Sequence, residues 1–165
     1  MSKKAQLATM DFLGSIVIFV FLIITIILVW DLYNLRLNSN LENEETVFKL
    51  VKITDLLVET QGIPTNWNTT NVQVIGLTSK DRKFDSNKLY LFKNLQYNKT
   101  RELFNIENYD FYFKITDLNG ALISANNQFI EIGPQPEVDN DSIITIRRFA
   151  LYGSQKVILE FSVWK

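Results

Sequence analysis

The run Phe12-Leu13-Gly14-Ser15-Ile16-Val17-Ile18-Phe19-Val20-Phe21-Leu22-Ile23-Ile24-Thr25-Ile26-Ile27-Leu28-Val29-Trp30 carries no charge and is bounded by Asp11 and Asp31. At ~1.5 Å of rise per residue it makes a helix about 28 Å long. That is close to the ~30 Å hydrocarbon thickness of a bilayer. Only Gly14, Ser15 and Thr25 are small or weakly polar, so every face of the helix is apolar. Such a helix is enclosed by a large core or sits in lipid. The rest of a 165-residue chain is too small to enclose it, so the run is read as membrane-spanning. It exceeds the ~7–15 apolar residues of a secretory signal. The following Asp31-Leu32-Tyr33-Asn34-Leu35-Arg36-Leu37 lacks a small-x-small cleavage pattern. The helix is therefore expected to stay on the protein.

On its N-terminal side stand Lys3 and Lys4; on the other, Arg36 is the only close cation among Asp31, Glu42, Glu44 and Glu45. The excess of Lys and Arg places the N-terminus in the cytoplasm and the remainder outside. Sequons at Asn68, Asn98 and Asn140 all fall in that remainder, which suits an external domain with candidate N-glycosylation sites.

Beyond Trp30 the pattern stays helical but becomes amphipathic. Val47, Leu50, Val51, Thr54, Leu57 and Val58 recur at three- and four-residue spacing, with Glu44, Glu45, Lys49, Lys52 and Glu59 between them. No proline precedes Pro64, so one helix from Gln6 to Glu59 is predicted. Asn38-Ser39-Asn40 is a candidate interruption, and Gly62 and Pro64 end it. A polar turn region over 62–71 and a strand over Val72–Leu77 follow. Ser86–Phe104 reads as helical turns on either side of Tyr97-Asn98. From Tyr109 the period becomes two: Tyr109, Phe111, Phe113 and Ile115 alternate with Asp110, Tyr112, Lys114 and Thr116, the mark of a half-buried strand. Asn119-Gly120 signals a hairpin. Short strands over Ala121–Ser124 and Gln128–Ile132 come next. Two longer ones, Ser142–Leu151 and Gln155–Trp164, are joined by Gly153-Ser154. The predicted fold class is α+β: a long N-terminal helix, membrane-spanning then amphipathic, packed on an antiparallel C-terminal sheet with a small helical insert.

Composition excludes several functions. Seventeen Lys and Arg balance eighteen Asp and Glu, so no basic nucleic-acid footprint is expected. No Cys and no His are present, which removes disulfides, zinc-thiolate sites and the commonest general base and metal ligand. No catalytic residue, metal site or cofactor is predicted, and an enzyme is disfavoured. The oxygens of Glu137-Val138-Asp139-Asn140-Asp141 lack the spaced ligand set of a calcium loop and read as a solvated loop.

Lys3-Lys4-Ala5-Gln6, with Asp11 ahead of Phe12, resembles the class III signal sequence of archaeal type IV pilins and pilin-like proteins. Asp55-Leu56-Leu57-Val58, then Gly62, Pro64 and Trp67, is similar to the same group, as are Tyr109-Asp110-Phe111-Tyr112, Arg147-Arg148 and the ending Val163-Trp164. The resemblance spans most of the chain. It implies that a membrane peptidase cuts between Ala5 and Gln6, leaving residues 1–5 as a leader. Residues 6–31 would be the membrane and later filament-core helix, and residues 32–165 the extracellular domain. The implied partners are identical or related pilin subunits, the membrane before assembly, the prepilin peptidase and the assembly machinery. The chain departs from the pattern in one respect: the acidic residue is often fifth in a mature pilin, whereas Asp11 would be sixth.

The resemblance gives Asp11 a partner, the freed amine of Gln6 on a neighbouring subunit. A plain reading competes with it, in which Asp11 is a headgroup-level charge favoured by the helix dipole. Phe12 begins the assembly surface. Gly14 is a candidate soft point, although membrane helices tolerate glycine routinely. The expected function is a structural filament subunit serving adhesion or surface attachment. The alternatives are a single-pass anchored binding protein that does not polymerise and, third, a membrane-tethered enzyme.

Overall fold

The computed structural model describes the backbone of residues 3–137 and 143–165, and the side chains of 12–34, 44–137 and 143–165. Two compact units divide the chain, Met1–Thr46 and Val47–Lys165. The fold class is α+β, with an apolar N-terminal helix and a mixed sheet.

The first unit is helical. Helix α1 is Lys3–Glu59 and has no break at Asn38-Ser39-Asn40. A helix satisfies its backbone polar groups within the segment, which lipid requires of anything that spans it. The hydroxyl of Thr25 follows the same rule, donating to the Phe21 carbonyl at 2.8 Å.

In the second unit the last turns of α1 bury Leu50, Ile53, Thr54, Leu57 and Val58. The predicted stripe needs two corrections: Val47 is exposed, and Ile53 rather than Val51 lies fully inside. Positions 50, 53, 54, 57 and 58 form one face at 3.6-residue periodicity; 51 sits just beyond its edge, whereas 47 shares its direction but lies a turn before Leu50 and stays exposed. Thr54 is buried without cost because its hydroxyl donates to the Val51 carbonyl at 2.9 Å.

The six-stranded sheet contains β1 (Thr78–Lys80), β2 (Lys83–Phe84), β3 (Asp110–Asp117), β6 (Glu131–Ile132), β7 (Ile144–Tyr152) and β8 (Gln155–Trp164). Its order is β1-β2-β7-β8-β3-β6. A separate two-stranded hairpin joins β4 (Ser124–Ala125) and β5 (Gln128–Phe129). The sheet is not wholly antiparallel as predicted, because β2 runs parallel to β7 with Lys83 opposite Leu151 and Phe84 opposite Tyr152. One side of β7 is already taken by β8. The short β2 enters along the other edge after Arg82 turns the chain at φ 54, and the Leu151 N–H donates to the Arg82 carbonyl at 2.8 Å.

The inner face carries Phe111, Phe113 and Ile115 of β3, and Val157, Leu159, Phe161 and Val163 of β8. All are buried in one cluster with the helix residues above. Burying each such side chain contributes ~1.5–3 kcal/mol. Phe111 stacks on Phe161 with ring centroids 5.4 Å apart, and Phe92 meets Phe113 edge-on at 5.0 Å, geometries the ring quadrupoles favour.

The helical insert is α2 (Ser86–Lys93) and α3 (Tyr97–Phe104). Asp85 caps α2, accepting from the N–H groups of Asn87 and Lys88. The break falls at Asn94-Leu95-Gln96, ahead of the predicted Tyr97-Asn98, because Leu95 turns into the core. Val72–Leu77 is not a strand. It makes a single bridge, Ile63 to Val74, and the strand forms only at Thr78–Lys80. Val72, Ile75 and Leu77 are nonetheless buried, so the apolar signal reported a packed loop. That loop is tight: a Cβ on Gly76 would lie 2.2 Å from the Gly62 nitrogen. The run Gln128–Ile132 is divided, with β5 pairing to β4 and β6 to β3. The Asn119-Gly120 turn forms, held by Asp117 Oδ1 accepting from Asn119 and Ala121.

Candidate functional site

Among the described residues, the apolar helix carries a long run of exposed large hydrophobic side chains. Phe12–Asn34 is long and apolar enough to cross a membrane, and none of it is buried inside the protein. Phe12 is 66% exposed, and its neighbours through Trp30 are similarly open. Each large apolar side chain left in water forfeits ~1.5–3 kcal/mol, so the segment as a whole forfeits on the order of tens of kcal/mol. A Cβ on Gly14 would meet no atom within 4 Å, so packing within the chain does not require glycine there. The side chains of Ala5, Gln6 and Asp11, where the cleavage and assembly expectations fall, lie outside the described residues. So do Asn140 and most of the acidic loop around it.

A second surface is the outer face of the sheet. The alternation of β7 turns Thr145, Arg147, Phe149 and Leu151 outward. Phe149 is 70% exposed, and with Leu118, Leu151, Arg82 and Lys156 it lines a shallow apolar recess of about 550 Å³. Beside it runs an ionic ladder across three strands. Glu160 Oε2 accepts from Arg147 Nε at 2.7 Å, and Glu160 Oε1 lies 2.9 Å from Lys114 Nζ. Burial alone would raise the Glu160 carboxyl. The hydrogen bonds and charges of Lys114 and Arg147 outweigh it and hold the group below its ordinary value.

Arg148 Nε donates to Asp55 Oδ1 of α1 at 2.8 Å, and Glu59 of the same helix faces Arg82 at 3.4 Å. With Arg147 and Phe149 these residues surround a hollow of about 420 Å³. Both carboxylates there have guanidinium partners, which suits tying the helix to the sheet. Among the described residues no group of three or more Asp or Glu could hold a metal ion.

Two further polar groups fix the insert. Tyr97 OH accepts from the Phe111 N–H at 2.8 Å and donates toward Asp110 at 3.1 Å; burial, first of all, pushes its hydroxyl above the usual value. Lys88 Nζ reaches the carbonyls of Gln61 and Thr78, and burial lowers its pKa.

The sequons separate. Asn68 lies in the exposed loop between α1 and β1, whereas Asn98 is inside α3. Sequence reasoning missed the outward cluster of Leu118, Phe149 and Leu151. Phe149 lay in a predicted strand, and facing direction there depends on register. Comparison with protein-family models, with curated proteins and with solved structures finds no match to this chain.

Proposed function

We propose that the chain is a structural subunit of an extracellular type IV pilus-like filament, serving adhesion or surface attachment. The observation that carries this reading is the helix Phe12–Asn34, uncharged from Phe12 to Trp30 and left unburied by the described residues, alongside a second unit that closes its own core. A helix of that kind needs lipid or copies of itself. In the proposed cycle it holds the subunit in the membrane with its N-terminus cytoplasmic. After a cut between Ala5 and Gln6, it transfers to a filament core of like helices. A subunit that meets its copies head to tail with a screw rotation builds an open filament rather than a closed ring. The inner face of the sheet against the last turns of α1 supports the likeness to the pilin arrangement. In this account the chain is not an enzyme, and its partners are like subunits, the leader peptidase and the assembly machinery.

The same helix also serves a single-pass anchor that does not polymerise, and the exposed Phe149 recess gives that reading a binding face. Electron microscopy of material sheared from the native cell surface separates the two. The filament reading expects fibres that carry this chain and vanish when its gene is deleted. Fibres unchanged by the deletion, with the chain of the undeleted strain found only in its membrane fraction, favour the anchor.

A further inference from the structure

We infer that Asn68 is a site of N-linked glycan attachment and that Asn98 is not. This rests on the reading that residues 32–165 face the outside.

The two sequons, Asn68-Thr69-Thr70 and Asn98-Lys99-Thr100, are equivalent as sequence. As structure they differ in what they present. Asn68 and Thr70 are both exposed. The Asn68 Oδ1 accepts from the Thr70 N–H at 2.8 Å, the Thr70 hydroxyl at 2.6 Å and the Asn71 N–H at 3.1 Å. The carboxamide oxygen is thereby held toward the chain, while the planar group carries Nδ2 on its other side. Amide and hydroxyl stand together on the surface. The loop beneath them is pinned. Trp67 is buried with its Nε1 donating to the Gly76 carbonyl at 3.0 Å, the Asn68 N–H donates to Asn71 Oδ1 at 2.7 Å, and Lys99 Nζ donates to the Thr69 carbonyl at 2.8 Å. A glycan here meets solvent and asks nothing of the core.

Asn98 is also exposed, but its sequon partner is not. Thr100 is fully buried in α3, and its hydroxyl donates to the Gln96 carbonyl at 3.2 Å. Presenting that hydroxyl to a transferase requires α3 to unwind. It would also draw out Phe104, which packs edge-on against Phe161 with ring centroids 5.7 Å apart. N-glycosylation acceptors belong on surface loops, and only the first sequon meets that condition.

The co-substrate is a lipid-phosphate-linked sugar. Asn68 Nδ2 attacks its C1. The Nδ2–C1 bond forms, the C1–O bond breaks, the lipid phosphate leaves with the bonding pair, and Nδ2 gives up one proton. No oxidation or reduction occurs.

The test is mass spectrometry on the full chain isolated from its native membrane, digested so that Asn68 and Asn98 fall in separate peptides. It is run beside the variants Asn68→Gln, Thr70→Val, Thr70→Ser and Asn98→Gln. The expected result is a sugar mass on the Asn68 peptide and none on the Asn98 peptide. Gel mobility should shift in Asn68→Gln and Thr70→Val, and stay unchanged in Thr70→Ser and Asn98→Gln. A bare Asn68 peptide, or sugar on Asn98, overturns the inference. Protease added to intact cells tells the two levels apart. Digestion of the globular segment with Asn68 bare defeats this inference and leaves the external reading standing. A protected segment with Asn68 bare defeats both.

Discussion

Glu160→Gln tests the ionic ladder on the outer sheet face. The carboxylate bridges Lys114 at 2.9 Å and Arg147 at 2.7 Å, and only 16% of its side chain is exposed. Charge-assisted hydrogen bonds contribute ~1.5–3 kcal/mol each at best. Arg147 is 68% exposed, so water screens its share. The amide keeps the shape and one acceptor, which leaves an expected loss of about 1–2 kcal/mol at neutral pH. With a urea slope of ~1.5–2 kcal/mol per M, the unfolding midpoint should fall by about 0.5–1.3 M. The pH dependence is more telling. Because the folded-state pKa of Glu160 is depressed, its stabilisation is fully present above the unfolded carboxyl value. It is lost as pH falls through the folded one. The difference between wild type and Glu160→Gln should therefore shrink from pH 7 toward pH 3. Urea titrations of the full chain in one detergent, followed by circular dichroism, provide the measurement. An unchanged difference across that range would refute the argument that a charged Glu160 holds the three strands together.

Other expectations concern the core, the loop and the helix. Leu57→Ala, at a fully buried position, should cost about 2–5 kcal/mol. Phe48→Ala, at a 60% exposed one, should stay within about 0.5 kcal/mol; thermal melts that rank them the other way contradict the core described. Gly62→Ala forces a Cβ to 2.6 Å from the Val74 carbonyl oxygen at φ +81, and should destabilise the loop by more than the ~1 kcal/mol typical of a point change. Ile24→Lys at mid-helix should weaken membrane insertion by ~2.5–3.5 kcal/mol, read as loss from the carbonate-resistant membrane fraction. Asp11→Ala should lower filament yield while leaving insertion intact; normal filament amounts would remove the proposed pairing with the Gln6 amine.

What could be read from the sequence followed from periodicity. The apolar run from Phe12 and the two-residue alternation of Tyr109–Thr116 each leave one physical solution, and both elements form. The Gly153-Ser154 turn is equally local, with Gly153 at φ 63. The parallel β2–β7 pair was not legible, because two-residue strands have no period and their partners are chosen by the edge left open. Val72–Leu77 misled because burial in a loop and burial in a strand give the same apolar letters. At the candidate sites, the sequons were visible as motifs, but their difference lies in whether Thr70 or Thr100 points to water. The Arg148–Asp55 pair, 93 residues apart in sequence, could be found only once the helix lay against the sheet.

The central claim is that this chain is processed and built into a filament. The most direct test is the N-terminal mass of the protein recovered from sheared surface filaments. The account expects a mature chain beginning at Gln6. An intact Met1 or Ser2 in all extracellular material would contradict it.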